Sequence, residues 1–399
     1  MNAMQLPNAR ASVGFLVYMV AIPFYWSNFS FLILALFAAL PNPSKFESET
    51  IASSRINLLL ILFVASFGLS ILFSDSLESS LRFSAAWPSC LLLYYLIATK
   101  FDINKDWTML CLAFSLSALF AGALCIAFFI SAPDSSPSMM ISTIRSPLFV
   151  VPNDTIFLSL ATPFSFSLIS KARNRAVLLT AFASIAVSLI AVLIAESRTA
   201  LGIIFICGVI YCWGKKAGLT LLALVSLAVI ADLILGASLL QKIPVIPSSR
   251  LPLWDSALAL FREHPLFGGG PFTFGDYYQE FIKTVRYPAW VVVDTRTIPW
   301  PHNLYLELLS GSGLLCLLAF LGVVLATFYR LIAESIHGKI DGSVLRTVIA
   351  ALVGFLIAAL VETSFLRLWT LVLFFTLVGV VSNIEINESR HENKQSGFS

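Results

Sequence analysis

Long runs of apolar residues, divided by short polar breaks, dominate the pattern of this chain. A transmembrane helix needs about 20 mostly apolar residues, and in lipid its backbone must be hydrogen-bonded internally. Because the runs are continuous rather than alternating, they predict membrane-spanning helices and argue against a barrel of strands. We expect twelve spans, at approximately 12–26, 28–42, 56–73, 82–99, 108–131, 147–170, 176–195, 199–213, 217–236, 303–329, 345–362 and 366–382.

Composition supports the same reading. Of the 399 residues, 58% are hydrophobic and 12% are charged, whereas about 25% of the residues of a soluble domain are charged. We therefore expect one integral membrane domain over residues 1–399. The first run has only Arg10 before it and no small-residue cleavage site after it, which favours a retained helix. The six cysteines fall inside apolar runs at no metal-ligand spacing, so they are expected to pack as small hydrophobic residues.

Lysine and arginine are divided unevenly between the two faces of this layout. Fifteen lie on the face that carries the N-terminus, four lie on the other face at short loops or helix ends, and six lie in one long segment. The positive-inside rule, which is counted over short loops, then places both termini in the cytoplasm.

The long segment, residues 238–301, is inserted between the predicted ninth and tenth helices on the outer face. Apolar residues recur in it at helical spacing, which predicts an amphipathic helix on the membrane surface. These residues are Leu253, Trp254, Ala257, Leu258 and Phe261. The following glycine triplet, 268–270, predicts a turn, since a phosphate loop would need a preceding strand and a following Lys-Ser/Thr pair. After the last span, residues 383–399 are predicted to form a polar cytoplasmic tail.

Ionisable residues inside membrane spans are costly and therefore mark functional sites. In this chain each of them lies at or near the outer end of its predicted helix. The acidic members are Asp154, Glu196, Asp232, Glu307 and Glu362, and the basic residues near them are Arg145, Arg198 and Arg367. A secondary transporter would be expected to bind its substrate near the midplane, between two halves with broken helices. The pattern instead favours a site open to the outer leaflet that acts on a lipid-borne substrate.

Arginines on the outer face run against the positive-inside bias, and phosphate binding is one reason to keep them there. A guanidinium donates bidentate, charge-assisted hydrogen bonds to phosphate oxygens. Arg198 lies in the tight loop "AESRTALG", Arg250 opens the loop helix in "PSSRLPLW", and Arg145 and Arg367 are further candidates. Each could alternatively be solvated at the interface or paired with a nearby acid, as Arg198 could be with Glu196.

The segment "TIPWPHNLYLELLSGSG", residues 297–313, places polar side chains at the start of the predicted tenth helix. His302 is expected in the first turn, directly after a proline, which is favoured there. Helical spacing then puts Tyr305 on the face of His302, and Asn303 and Glu307 on a neighbouring face. This pattern is consistent with a catalytic histidine, and also with a histidine and an asparagine that cap a helix at the interface.

Taken together, "ESRTALG", "RLPLWDSALALFREHPLFGGGPFTF" and "PHNLYLELLSGSGLL" resemble the O-antigen ligase and polymerase superfamily. The likeness covers about residues 195–315, and the layout of twelve helices extends it over the chain. Members are polytopic glycosyltransferases of the bacterial inner membrane with a large periplasmic loop. The resemblance therefore implies an all-α, GT-C-like membrane fold with a partly helical periplasmic loop.

The resemblance also implies a reaction. A glycan would be transferred from undecaprenyl pyrophosphate to a sugar hydroxyl of lipid A–core, with membrane lipid around the site and no nucleic acid involved. On the family pattern His302 is the catalytic base, and Arg198 and Arg250 bind the pyrophosphate. Members are metal-independent, so neither a metal nor a cofactor is expected.

The residues suit that chemistry on physical grounds. Pyrophosphate is a weakly basic leaving group that needs positive charge rather than a proton donor. The acceptor hydroxyl must lose a proton, which a histidine can take near neutral pH. Asp154, Glu307 or Glu362 could orient His302 or an arginine, and the sequence does not choose among them.

Alternatives remain at this point. An O-antigen polymerase of the same superfamily uses a similar donor but extends a second lipid-linked glycan. A protein O-oligosaccharyltransferase is a further relative. A lipid-glycan transporter would need no base at all.

Overall fold

Every regular element in the described part of the chain is helical. The protein is seen in a computed structural model that describes residues 54–131, 154–172, 174–195, 197–213, 248–338 and 340–396. The α-helices in these ranges are α1 (Arg55–Leu72), α2 (Leu77–Ser84), α3 (Trp87–Lys100), α4 (Ile103–Ser131), α5 (Asp154–Lys171), α6 (Arg175–Ile194), α7 (Arg198–Tyr211), α8 (Leu251–Glu263), α9 (Phe274–Thr284), α10 (Leu304–His337), α11 (Gly342–Val361) and α12 (Leu368–Ser396). A short 3₁₀ turn, Ser248–Arg250, leads into α8.

Helix length and composition match a protein that crosses the membrane several times. Within the described ranges, seven helical segments are long and apolar enough to span a membrane, and Thr155–Lys171 and Arg198–Tyr211 are shorter apolar helices. The prediction of an all-helical, multi-pass membrane protein is confirmed. Nine of the twelve predicted spans coincide with α1, α3 to α7 and α10 to α12. The other three, 12–26, 28–42 and 217–236, lie outside the described residues.

One predicted span, 82–99, is divided between two helices. α2 ends at Ser84 and α3 begins at Trp87, because Pro88 lies in the first turn of α3, where its missing amide hydrogen costs no helical hydrogen bond. The short α2 contacts the long loop, since Ser80 Oγ donates a hydrogen bond to the Pro271 carbonyl at 2.7 Å.

Helices α10 and α12 continue past their predicted ends, to His337 and Ser396. Polar side chains beyond the apolar runs are paired between helices. Asn383 is buried and donates to three carbonyl groups at the end of α3, and Arg330 of α10 forms an ion pair with Glu388 of α12. The predicted cytoplasmic tail therefore begins as part of a packed helix, which corrects the boundary drawn after the last apolar run.

Helices α5 and α7 both run opposite to α11, so several helix ends meet at one face of the bundle. Tyr211 Oη, at the end of α7, lies 3.1 Å from Ser343 Oγ, at the start of α11. Cys207, one turn earlier in α7, donates to the Ala350 carbonyl at 3.2 Å. The end of α5 is also beside Ser343, through Ser170 at 3.0 Å. Hence α5 and α7 begin where α11 ends; we call this side of the bundle, which also carries residues 248–303, the loop face.

Main-chain hydrogen bonds attach the loop to α10. The Gly269 amide donates to the Ser310 carbonyl at 2.9 Å, and the Gly270 amide donates to the Gly311 carbonyl at 3.0 Å. The helix is interrupted beside this contact, since Gly313 has φ 79° and ψ 177°. The glycine triplet is thus a turn, as predicted, and it is also the loop's attachment to the membrane helices.

Glycine is required on both sides of this contact. Gly268 and Gly313 have φ values of 69° and 79°, a region that other L-residues rarely adopt. A Cβ atom on Gly268 would overlap the main chain of Gly311, and a Cβ atom on Gly313 would overlap the Leu266 carbonyl. The backbones approach each other so closely that no side chain fits between them.

The loop has a small hydrophobic core of its own. The amphipathic helix predicted around residue 253 corresponds to α8, which packs against α9 and, through Leu306, against the start of α10. The buried members are Leu253, Ala257, Phe274 and Tyr278. The loop is therefore an ordered lobe whose position relative to α10 is fixed by packing as well as by the glycine contact.

We expect Gly268→Ala and Gly313→Ala each to lower the free energy of unfolding by about 1–3 kcal/mol, the usual cost of a residue forced into a sparsely populated backbone region. Thermal unfolding of the purified protein in detergent measures this. Gly68→Ala in α1 is the matched control, because a Cβ atom there meets nothing within 4 Å. Equal unfolding temperatures for Gly68→Ala and Gly313→Ala would contradict the docking role.

Candidate active site

His302 lies at the junction between the loop and α10. Its φ of 51° is uncommon for a residue with a side chain, and the helix begins only at Leu304, with Asn303 as its N-cap. The expectation that His302 occupies the first helical turn and shares a face with Tyr305 is therefore wrong. The preceding residue is held by the loop, since Trp254 Nε1 donates to the Pro301 carbonyl at 3.2 Å.

Asn303 and Tyr305 join the start of α10 to the end of α11. The Asn303 Oδ1 atom accepts from the Leu306 amide at 3.0 Å, which caps α10, while its Nδ2 donates to the Leu360 carbonyl at 3.1 Å. Tyr305 Oη donates to the Leu356 carbonyl at 3.2 Å. The cap alternative thus applies to Asn303, and these bonds bring the neighbouring His302 to the end of α11.

Glu362, the C-cap residue of α11, contacts both a histidine and an arginine. Its Oε2 atom accepts from the Arg250 guanidinium at 2.6 Å, and its Oε1 atom lies 3.4 Å from His302 Nδ1. The exposed fractions of these three side chains are 17% to 25%, so water screens their charges only in part. We call Arg250, His302 and Glu362 the His–Glu–Arg cluster.

Electrostatics keep the carboxyl groups near His302 ionised. Burial alone would raise the pKa of Glu362, but the nearby His302 imidazole and the charges of Arg250 and Arg367 outweigh it and hold that pKa below its usual range. The pKa of Asp294 is also lowered, mainly by a hydrogen bond from the neighbouring arginine, with a smaller contribution from His302. The imidazole therefore lies beside the ionised Glu362, and it also interacts electrostatically with Asp294.

A second charged group lies in the turn between α11 and α12. The guanidinium of Arg367 stands 4.8 Å from the centre of the Trp300 ring, in a cation–π contact, and the Trp300 and His302 rings are 5.3 Å apart. Glu307 is buried, and its Oε1 accepts from the Phe365 amide at 3.1 Å. Of the candidate acids with described side chains, Glu362 contacts His302, whereas Glu307 holds the turn that carries Arg367.

The remaining candidate residues lie at the loop face or have side chains outside the described part of the structure. Arg198 is the first residue of α7 and lies exposed at the loop face. Asp154 begins α5 at the same face, but its side chain lies outside the described part of the structure, as do Arg145, Glu196 and Asp232.

Sequence reasoning missed two residues of the site, Trp300 and Asp294. A tryptophan two residues before the candidate histidine, in "PWPH", was the available signal for the first. Asp294 gave none, because its approach to His302 depends on how the loop returns after α9.

A comparison with protein families shows what part of this chain is similar to. Residues 183–321 match the family model described as O-antigen ligase. This stretch of the chain is similar to the O-antigen ligase family. The match includes Arg198, Arg250 and His302, while Glu362 and Arg367 lie beyond it. A comparison with curated proteins finds no match.

The O-antigen ligase match confirms the resemblance that the motifs predicted. The family covers both O-antigen ligases and polymerases, which are glycosyltransferase-like enzymes. Its members use lipid-linked glycans and acceptors as substrates. The His–Glu–Arg cluster is formed partly by the matched residues 183–321, with Arg250 and His302, and partly by Glu362 at the end of α11.

The Arg250–Glu362 pair predicts a measurable coupling in stability. Arg250→Ala removes the closest partner of a shielded carboxylate and is expected to lower the free energy of unfolding by about 1–3 kcal/mol. The double variant Arg250→Ala/Glu362→Gln should recover part of this loss, in a double-mutant cycle of denaturant unfolding.

Acidification should weaken the same coupling. Because the folded-state pKa of Glu362 is lowered, its contribution to stability is present above the pH at which an unfolded carboxyl ionises and is lost as pH falls through the folded-state pKa.

Lys105→Ala is the control for Arg250→Ala, since the Lys105–Asp102 pair is exposed and such pairs contribute little to stability. A loss in Lys105→Ala as large as that in Arg250→Ala would overturn the assignment.

Proposed function

We propose that this protein is an O-antigen ligase that transfers a glycan from undecaprenyl pyrophosphate to a sugar hydroxyl of lipid A–core. The observation that carries the proposal is a histidine whose Nδ1 faces an ionised carboxylate, beside two arginines, at one face of a membrane bundle. Transfer from a lipid pyrophosphate to a membrane-bound acceptor requires a base near the surface of the bundle and several cations.

His302 acts as the general base in this proposal. Since its Nδ1 atom faces Glu362, Nε2 is the nitrogen that takes the proton. The acceptor hydroxyl oxygen bonds to the anomeric carbon of the donor as its proton moves to Nε2. The bond from that carbon to the pyrophosphate oxygen breaks on the opposite side, and undecaprenyl pyrophosphate leaves with the electron pair. This single displacement inverts the anomeric configuration.

Arginines bind the pyrophosphate and stabilise the charge that develops on it. Arg250 lies in the cluster with His302, Arg198 lies at the loop face, and Arg145 is proposed as a third ligand on the sequence pattern alone. Arg367 and Trp300 border His302 on another side. The proposal requires no metal ion and no cofactor.

The loop face is proposed to face the periplasm, with both termini in the cytoplasm of the bacterium and the chain in the inner membrane. Basic residues support this orientation under the positive-inside rule. In the described ranges, those at or near helix ends on the side opposite the loop include Arg55, Lys100, Lys105, Lys171, Arg175 and Arg346.

Substitution of the base and of the arginines should abolish transfer in a purified system. We expect His302→Ala to lower the rate by about 10²–10⁴-fold, the usual contribution of a general base, and Arg198→Ala and Arg250→Ala by about 10²–10³-fold. The assay uses purified protein, lipid-linked donor and lipid A–core. Lys283→Ala, an exposed loop cation paired with Glu280, is the control. Transfer that persists in both His302→Ala and Arg198→Ala would refute the catalytic assignment.

Loss of the protein from its cell should distinguish a ligase from a polymerase. We expect bare lipid A–core on a gel, with long glycan accumulating on its lipid carrier, and both restored by the wild-type chain but not by His302→Ala. Lipid A–core that carries a single glycan repeat would instead identify a polymerase.

A further inference from the structure

Glu362 is shared between the proposed base and a proposed donor ligand, one on each carboxylate oxygen. The contact with Arg250 is short, at 2.6 Å, whereas His302 Nδ1 is 3.4 Å from Oε1. An N–H···O hydrogen bond has a length of about 2.7–3.2 Å. The carboxylate is thus hydrogen-bonded to the arginine, whereas His302 Nδ1 makes no hydrogen bond to any described residue.

The main chain fixes two members of the His–Glu–Arg cluster relative to each other. Asn303 bonds the Leu360 carbonyl, two residues before Glu362, so His302 and the end of α11 are held together. Arg250 comes from a different element, the 3₁₀ turn before α8. Its side chain is the member of the cluster that can be withdrawn without displacing the other two.

The charge of Arg250 opposes the function of His302. A nearby cation disfavours protonation of an imidazole, and it also neutralises the carboxylate that would favour protonation. A pyrophosphate changes both conditions, because its oxygens accept bidentate, charge-assisted bonds from a guanidinium. Once Arg250 binds the pyrophosphate, its charge is compensated there and the carboxylate is released.

We propose, on the basis of the proposed function, that Glu362 is a positioning residue. When the donor binds Arg250, the hydrogen bond of the Glu362 carboxylate shifts from Arg250 to His302, so that the base becomes competent only after the donor has bound. Glu362 then accepts a hydrogen bond from the Nδ1–H group of His302. This bond leaves Nε2 directed at the acceptor hydroxyl. The order has a chemical consequence: with no donor in place, the acceptor hydroxyl is not deprotonated.

Any test by pH must account for every charged or titratable group that faces the cluster. Those with described side chains are Arg250 from the loop, Glu362 and Arg367 from the end of α11 and the turn after it, Asp294 from the segment before His302, and Glu307 from α10. Among the described side chains, Glu362 is the one that lies within ion-pair distance of both His302 and Arg250. Its removal is therefore the specific change.

The experiment measures kcat and the donor KM of wild type, Glu362→Gln and Glu362→Asp as functions of pH, with purified protein, lipid-linked donor and lipid A–core. The pH profile of kcat reports the donor complex, and that of kcat/KM for the donor reports the free protein. In wild type, the acidic limb of the kcat profile is expected at higher pH than the acidic limb of the kcat/KM profile. Glu362→Gln should lower kcat at least tenfold, leave the donor KM unchanged or lower, and narrow the gap between the limbs. Glu362→Asp keeps the charge, so its kcat should lie between that of wild type and that of Glu362→Gln. This variant also tests the inference if Glu362→Gln does not fold.

Several outcomes would overturn this inference. One is an unchanged kcat in Glu362→Gln; another is a raised donor KM with unchanged kcat, which would mean that Glu362 only holds Arg250 in place. Glu280→Gln, an exposed carboxylate of the loop, is the control and should leave all parameters unchanged. His302→Ala separates the two proposals: transfer at the wild-type rate in His302→Ala refutes the proposed function, whereas strongly reduced transfer there with normal kinetics in Glu362→Gln refutes only the role of Glu362.

Discussion

The main-chain pairing between the glycine triplet and the interrupted helix α10 is the contact on which the candidate site depends. It registers the loop against the membrane helices through the bonds of Gly269 and Gly270 to Ser310 and Gly311. Arg250 and His302 both belong to the loop or its edge, while Glu362 caps α11 and Arg367 lies in the turn before α12. A shift of the loop by one residue would separate these groups, since ion pairs and hydrogen bonds act over about 3–4 Å.

The second constraint is the burial of charge at the end of an apolar bundle. A carboxyl group removed from water is disfavoured unless hydrogen bonds or a cation compensate it, and most strongly so when it is ionised. Glu362 has Arg250 at 2.6 Å, and Glu307 accepts from a main-chain amide in the turn that carries Arg367. The two acids therefore differ in function: the first neutralises charge within the cluster, and the second fixes the backbone around it.

Sequence patterns predicted what depends on local chemistry. Continuous apolar runs located nine helices, periodicity located α8, and the arginines and histidine at the outer helix ends indicated the face of the site. The patterns did not choose among Asp154, Glu307 and Glu362, because the choice depends on which helix ends meet in space. They also ended α12 too early, since Asn383 and Glu388 are polar in sequence but paired with other helices in the fold. The left-handed backbone of His302, imposed by the loop and the Asn303 cap together, leaves no local sequence signal.

The arrangement of the cluster also bears on a conflict inherent in transfer from a pyrophosphate. The leaving group needs positive charge, yet positive charge beside the base lowers its affinity for a proton. In this fold the carboxylate of Glu362 lies between the two functions, with one oxygen towards Arg250 and the other towards His302. Its negative charge reduces the effect of the guanidinium on the imidazole, and its lowered pKa keeps that charge in place near neutral pH. Under the proposed function, an arginine and a histidine brought together without such an acid would each weaken the other, so the acid at the end of α11 would be as important to the transfer as the two residues that it contacts.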